Sequence, residues 1–296
     1  MSISEPLARM TTFRVGGPAD LFLEPANVEE LTATVAYLRS IEVPFIVLGN
    51  GSNVLVSDEG YRGAAISLER GFRGATYADG IVDAGAGMRL ATFVDFCISH
   101  GRGGVEMLAG IPGTLGGSVI MNAGAYGGEI STSLLDVTVL RDGAVRVLPA
   151  TACGFRYRGS DLRADIVLSA RFALPEGDPS VLRARRKELL QKRNAAQPTR
   201  LPNAGSIFKN PEGMFAAKLI QECGLKGFRS GGAEVSDLHA NFIVGQPGVT
   251  ARDILTVINH VRRTVHAATG VVLELEILLI GFPGDALEPL TGEGLR

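Results

Sequence analysis

The sequence predicts a protein of mixed helices and strands divided into two or three domains, and three observations carry that reading. With 296 residues, 46% of them apolar and 20% charged, the chain can bury a sizeable core and split into more than one folding unit. Short apolar runs bounded by Gly, Pro, Asn and Asp alternate with segments of helical period. The texture then changes after the charged stretch that ends at Pro198, where a further unit begins.

Taken in order, residues 10–27 (MTTFRVGGPADLFLEPAN) turn at Gly16-Gly17-Pro18 and continue as a short strand over 21–23. Asn27 precedes VEELTATVAYLRS, with Glu30 three residues on as a capping-box partner and Leu31, Val35 and Leu38 at helical spacing, so a helix follows. After Pro44, FIVLG reads as a buried strand that enters Gly49-Asn50-Gly51-Ser52-Asn53 and leaves as VLVS. A dinucleotide fingerprint would open a helix and carry a third glycine where Val54 stands, so this loop is not one. It is either a hairpin turn or a nest in which backbone N–H groups, with Asn50, Ser52 and Asn53, face an anion.

Residues 65–100 read as a hairpin followed by a helix, with Leu90, Phe93, Val94 and Cys97 at helical spacing and Gly101 as its stop. Next comes the run 106–128, EMLAGIPGTLGGSVIMNAGAYGG, dense in glycine. Glycine costs about 0.5–1 kcal/mol in regular structure, so the run is either a set of tight turns or backbone that must approach a phosphate-bearing cofactor closely. The step from Gly116-Gly117 into SVIMNAGAYG resembles a loop entering a helix N-terminus with free N–H groups. Strands LLDVTVL and AVRVLPA are joined by an Asp142-Gly143 hairpin turn, Tyr157-Arg158 precede a turn, and a buried strand spans 166–174. Pro179 opens a long charged helix, expected as a linker between domains and ended by Pro198. Beyond it lie a loop at Gly205-Ser206, a helix over 214–223, a helix over 250–269 with Asp253 in a cap position, and the strand LELEILLIG.

Composition excludes several classes. A net charge of −2 and a pI near 6.1 provide no basic field for nucleic acid, and the basic cluster 183–187 lies on what reads as an exposed helix face. Cys97, Cys153 and Cys223 form no CxxC and have no neighbouring histidine cluster, which points to a reducing compartment and to no metal. The opening MSISEPLARM lacks a basic region followed by an apolar one, and Glu274 and Glu276 interrupt the apolar stretch 270–282. The expectation is a cytoplasmic protein with no membrane span.

Six segments carry a family resemblance: GNGSNVLV (49–56), AGIPGTLGGSVIMNAGAYGG (109–128), YRGS (157–160), GSIFKNP (205–211), FAAKLIQ (215–221) and HANFIVG (239–245). In this order, over most of the chain, they resemble the UDP-N-acetylenolpyruvoylglucosamine reductases, flavoenzymes of bacterial peptidoglycan precursor synthesis. The resemblance implies an α+β protein with an FAD-binding unit of the vanillyl-alcohol oxidase type, made of residues 1–66 and 67–200, with 282–296 returning to the first part. A substrate-binding domain would cover 201–281. Non-covalent FAD would be held by Gly49, Asn50, Gly51, Ser52 and Asn53, by Gly110, Ile111, Pro112 and Gly113, and by Gly116, Gly117, Ser118, Asn122, Gly124 and Ala125, with Ile166 alongside. NADPH would be the hydride donor and a UDP-sugar enolpyruvyl ether the substrate, in a monomer. The chain has no tyrosine after Tyr157 and so resembles the shorter branch, which lacks a tyrosine-bearing loop.

The same resemblance makes Ser206 the proton donor, Arg158 the contact to the substrate carboxylate and Glu276 an aid to the enolate. It makes Lys209, Asn210 and His239 substrate-side residues, with Asn210 near the diphosphate. The chemistry can use such groups. Reduction of an enolpyruvyl ether adds hydride at the terminal carbon, moves negative charge toward the carboxylate and protonates the inner carbon. Serine is a weak acid that needs a strongly basic acceptor, which an enol intermediate is. Arginine offers a planar fork suited to a carboxylate. Strand alternation places Glu274 and Glu276 on one face, which turns apolar at Leu278 and Ile280, so Glu276 should lie nearer a buried end. A different flavin-dependent oxidoreductase on the same scaffold would leave GSIFKNP and YRGS without a reason, and a non-catalytic nucleotide-sugar-binding relative would not need Ser206, Arg158 and Glu276.

Overall fold

The computed structural model describes residues 1–290 and divides into two compact units, each mixing helices and strands. Unit 1 comprises Met1–Ser4, Asp20–Asn50 and Gly63–Ala195; unit 2 comprises Glu5–Ala19, Gly51–Arg62 and the chain from Ala196 onward.

Unit 1 contains two sheets. The first has the order β1-β2-β5-β3, from Ser2–Pro6, Pro18–Leu23, Tyr61–Ile66 and Phe45–Val47, and β3 runs parallel to β5 with Phe45 opposite Ala64. Helix α1, Val28–Ser40, buries Leu31, Val35 and Leu38. Its Asn27 cap accepts from Glu30 N at 2.8 Å, while the Glu30 carboxylate takes Ala26 N instead of the Asn27 N of a full capping box. The expectation of a buried strand at FIVLG is corrected here. β3 is an edge strand, so Phe45 and Ile46 are half-buried and Val47 is 40% exposed.

The second sheet is antiparallel, in the order β11-β10-β12-β7-β6. It is built from Ala144–Pro149, Leu134–Arg141, Ile166–Ala173, Ile81–Gly85 and Ala75–Ala78. The β10–β11 turn places Asp142 at φ 51° and Gly143 at φ 77°, the two left-handed positions of a type I′ hairpin, which only a few residue types tolerate. Helix α2, Leu90–Ser99, buries its apolar stripe on this sheet, and the Phe93 and Phe172 rings meet at 4.9 Å. Helix α3, Leu115–Ile120, and the small hairpin β8–β9, Gly124–Ala125 with Gly128–Glu129, come from the glycine-rich run. Helix α4, Pro179–Ala196, is charged on its outer face. Cys97 and Cys153 are buried and free, and burial pushes the Cys97 thiol up to about 12, which removes it as a nucleophile.

In unit 2, β4 (Val54–Val56) pairs in parallel with β16 (Leu278–Ile280), Leu55 opposite Leu279. Since β3 and β4 belong to separate sheets, residues 49–53 are a connection and not a hairpin turn. A three-stranded sheet joins β13 (Arg229–Ser230), β14 (Ala233–Val235) and β15 (Ile243–Gly245). Helix α5, Ala216–Glu222, begins two residues later than the sequence predicts. Helix α6, Ala251–Thr269, starts at a full Thr250–Asp253 capping box and ends at Gly270 with φ 73°. Residues 282–290 lie on α6, where the Asn259 side chain donates to Ala286 O at 3.0 Å and accepts from Glu288 N at 3.2 Å. Of the segment 282–296 expected to return to the N-terminal part, residues 291–296 lie outside the described residues.

The strand LELEILLIG is shorter than expected. Only 278–280 form β16, and Leu275 instead makes an isolated bridge with Phe208. Burial falls on Leu273 and Ile277, Leu278 is 43% exposed, and no apolar end follows Glu276 on its own face. The change of partner at Ile277 breaks the alternation that the sequence implies. Glu276 is nevertheless the more enclosed carboxylate, half-buried where Glu274 is exposed. Among the described residues no helix is long and apolar enough to cross a membrane, and no His, Cys, Asp and Glu cluster is arranged for a metal.

Candidate cofactor cleft and active-site residues

Unit 1 contains a small cleft whose lining includes Gly49, Gly116, Gly117 and Ile166, all expected at the cofactor, together with Ala86, Gly87 and Thr114. Glycine is needed at position 49 because a Cβ there would stand 2.4 Å from Thr114 Oγ1; its absence lets the two loops close on each other. At Gly117 a Cβ would meet nothing nearer than Thr114 Oγ1 at 3.6 Å, so bare backbone faces the open cleft. Two carboxylates also border it, and each carries a guanidinium partner. Asp165 is gripped by Arg141 through two contacts of 2.6 and 2.7 Å, and Glu69 meets Arg89 at 3.2 Å. The walls therefore present no bare negative charge to an anionic group.

The first amides of α3 are already committed: Leu115 N donates to Met88 O and Gly116 N to Ala86 O, both at 2.8 Å. The sequence suggested a terminus with its donors free, and long-range pairing takes two of them. Other expected cofactor residues have defined partners. The Asn50 side chain accepts from Arg89 at 2.9 Å, the Ser118 hydroxyl donates to Thr114 O at 2.9 Å, and Gly113 O accepts from Leu90 N at 3.0 Å. Gly110 lies under Leu190 and Arg193, Ile111 is half-buried, and Pro112 is exposed. Gly124 and Ala125 form β8, and Asn122 is buried beside them. Gly51, Ser52 and Asn53 belong to unit 2.

Arg158, also in unit 1, sits at φ 54° at the tip of a turn closed on both sides by Arg156 and Gly159, whose N–H and C=O groups pair at 3.0 and 3.1 Å. Its guanidinium lies 4.9 Å from the centre of the Tyr157 ring. In unit 2, GSIFKNP forms a strap along residues 274–276. Lys209 N donates to Glu274 O at 2.9 Å, and Glu276 N donates to Ile207 O at 2.8 Å. This places Ser206 one residue from a backbone bond to Glu276. Asn203 bends the approach by accepting from Gly205 N at 2.9 Å, with Gly205 at φ 75°. The Asn53 side chain donates to Glu276 O at 3.1 Å, so one end of the 49–53 loop is tied to the same segment.

The remaining expected substrate residues are also engaged. Lys209 Nζ meets the Glu274 carboxylate at 3.2 Å, and the Asn210 side-chain oxygen accepts from Ala216 N at 3.0 Å, fixing the start of α5. His239 Nδ1 accepts from Asn241 N at 3.3 Å, which assigns the proton of the neutral ring to Nε2, and burial holds its pKa below the ordinary histidine value.

Sequence reasoning missed Asn241. Its side chain, 4% exposed, accepts from Phe208 N at 3.0 Å and donates to Phe208 O at 2.8 Å, and its own carbonyl accepts from Ile207 N at 2.9 Å. These three bonds fix the strap that carries Ser206. The available signal was a lone carboxamide within the apolar run of HANFIVG, which a buried strand accepts only when its hydrogen bonds are satisfied.

Fold and cleft define the class of FAD-binding proteins: residues 19–149 match the family model described as the FAD binding domain. Residues 197–280 match the model described as UDP-N-acetylenolpyruvoylglucosamine reductase, C-terminal domain. The UDP-N-acetylenolpyruvoylglucosamine reductase of Levilactobacillus brevis is 44% identical over 280 residues, covering 94% of this chain and 92% of the relative. That of Synechococcus sp. is 45% identical over 283 residues, covering 93% and 92%. The crystal structure of UDP-N-acetylenolpyruvylglucosamine reductase from Thermus caldophilus superposes with a TM-score of 0.80 at 41% identity, covering 93% of this chain and 97% of that one. The chain belongs to the UDP-N-acetylenolpyruvoylglucosamine reductase family.

Proposed function

We propose that this chain reduces the enolpyruvyl ether of UDP-N-acetylglucosamine enolpyruvate to UDP-N-acetylmuramate, with NADPH as reductant and FAD as cofactor. The observation that carries the reading is the near full-length likeness to the named reductases, joined to a glycine-floored cleft that leaves backbone bare at Gly117. When bound, FAD supplies the hydride taken from NADPH to the terminal carbon of the alkene. Gly49, Asn50, Gly116 and Gly117 hold the cofactor, with Gly51, Ser52 and Asn53 from the other side of the same loop and Gly110 to Gly113 next along the run.

Arg158 binds the substrate carboxylate, where its planar fork meets the charge that develops as hydride adds. Ser206 delivers its hydroxyl proton to the inner carbon, and Glu276 supports the enolic system during that transfer. Lys209, Asn210 and His239 serve the nucleotide-sugar side. Residues 1–66 and 67–200 provide the cofactor-binding parts and 201–281 the substrate-binding part, in a cytoplasmic monomer.

An anaerobic titration tests this reading. NADPH should bleach the flavin band of the purified holoenzyme, the enolpyruvyl sugar should restore it, and the product should carry a lactyl ether. Flavin that NADPH reduces but the enolpyruvyl sugar leaves reduced would overturn the proposal.

A further inference from the structure

The turn carrying Arg158 is held from behind by two side chains, each 1% exposed. Asn122 Nδ2 donates to Arg156 O at 3.1 Å and to the Glu129 carboxylate at 2.7 Å, while its Oδ1 accepts from Ser131 N at 3.3 Å. Both side-chain N–H groups are thereby committed. Ser160 Oγ donates to Ile120 O at 2.7 Å and accepts from Leu162 N at 3.3 Å. The two ends of the turn are thus fastened to the last residue of α3 and to the second residue beyond it. Asn122 itself sits at φ 44°, a left-handed position that asparagine tolerates better than most residues.

Arg158 occupies a left-handed backbone conformation without being glycine or asparagine, and such a conformation persists only where its surroundings over-determine it. The Arg156–Gly159 pair closes the turn, and the fastening by Asn122 and Ser160 anchors both of its ends to the region of α3. We propose that Asn122 and Ser160 are positioning residues for Arg158: they fix the turn so that its guanidinium meets the substrate carboxylate, and the Asn122 side chain, which the family resemblance sets at the cofactor, spends its hydrogen bonds on that turn and on Glu129 and Ser131 instead. This rests on the reading of Arg158 as the carboxylate contact. It also gives the end of the glycine-rich run a second task, since the backbone that borders the cofactor cleft supports the substrate-binding arginine as well.

Asn122→Gly keeps the left-handed backbone and removes the carboxamide, and Ser160→Ala removes the second tie without touching Asn122. Both should be measured as holoenzymes by anaerobic stopped flow. In Ser160→Ala, which lies outside the residues expected at the cofactor, flavin reduction by NADPH and the FAD dissociation constant should stay within about 2-fold of wild type, a spread typical of uncoupled sites. Reoxidation by the enolpyruvyl sugar should slow by up to ~10²-fold, the usual effect of a misplaced binding group. Combined with Arg158→Ala, either change should add no more than about 2-fold, because the group being positioned is gone. Weakened FAD binding with unchanged reoxidation would overturn the proposal, as would effects that multiply with Arg158→Ala. A wild-type enzyme that leaves the enolpyruvyl sugar untouched removes the role of Arg158 itself, and that result is distinct from the other two. If Asn122→Gly fails to fold, Ser160→Ala decides by the same measurements.

Discussion

The backbone N–H of Glu276 donates to the carbonyl of Ile207 at 2.8 Å, which makes the neighbour of Ser206 and the segment carrying Glu276 one local frame. A serine acting as proton donor gains from such a frame because its hydroxyl is a weak acid and depends on placement. Backbone hydrogen bonds hold position without consuming the side chains that perform the chemistry. The same frame extends to Asn53 through its 3.1 Å bond to Glu276 O.

Ser206→Ala should leave flavin reduction by NADPH nearly intact and slow reoxidation by the enolpyruvyl sugar by roughly 10²–10⁴, the scale of a lost proton donor. Rapid-mixing measurement of the two half-reactions separately checks this. Equal slowing of both, or of neither, would remove Ser206 from the proton-transfer step.

Asn241→Leu should destabilise the protein by about 2–4 kcal/mol, because it strands Phe208 N and Phe208 O in a buried position at about 1–3 kcal/mol each. Asn241→Asp keeps the acceptor for Phe208 N but sets a carboxylate against Phe208 O, and should also destabilise. Urea unfolding with the slope held common reads both changes. A shift below about 0.5 kcal/mol for Asn241→Leu would show that the strap is held without it.

Gly49→Ala should weaken FAD binding by about 10-fold or more, since overpacking of about 1–3 kcal/mol is expected when a methyl is forced to 2.4 Å from Thr114 Oγ1. Adding Thr114→Ala removes the clashing hydroxyl and should recover most of the loss. Flavin fluorescence on titration measures both. A double variant no better than Gly49→Ala alone would place the cause outside this contact.

Local chemistry was legible in the sequence, and long-range pairing was not. The Asn27 cap, the cap position of Asp253 and the Asp142-Gly143 turn each depend on residues within a few positions of one another, and the structure contains all three. The exposure of β3 depends on its place at a sheet edge, and the shortness of β16 on a switch from Phe208 to β4 as partner, neither of which periodicity encodes. The donors of α3 are taken by Ala86 and Met88, nearly thirty positions upstream. Glycine density pointed to part of the cleft in unit 1, whose wall includes Gly49, Gly116 and Gly117, but the grip of Asn241 on Phe208 spans 33 positions and left only a lone carboxamide as a sign.

Two histidines set the sign of the pH dependence between about pH 7 and 5.5. Burial holds the pKa of His239 below its ordinary value, with Lys226 acting in the same direction, and burial with nearby Arg263 does the same for His260, whose ring stacks on Phe228. A base with a depressed folded-state pKa binds fewer protons folded than unfolded, so its stabilising contribution is complete above the unfolded value near 6.5 and is lost as pH falls through the folded one. Unfolding free energy should therefore decline from pH 7 to 5.5. His239→Asn places an acceptor oxygen near the position of Nδ1, keeps the 3.3 Å bond from Asn241 N within reach, and does not titrate. It should reduce the slope and leave the contribution of His260 in place. Denaturant midpoints at pH 7 and 5.5 compare the two proteins, and an unchanged slope in His239→Asn would mean that His239 gains its proton with no cost to the fold.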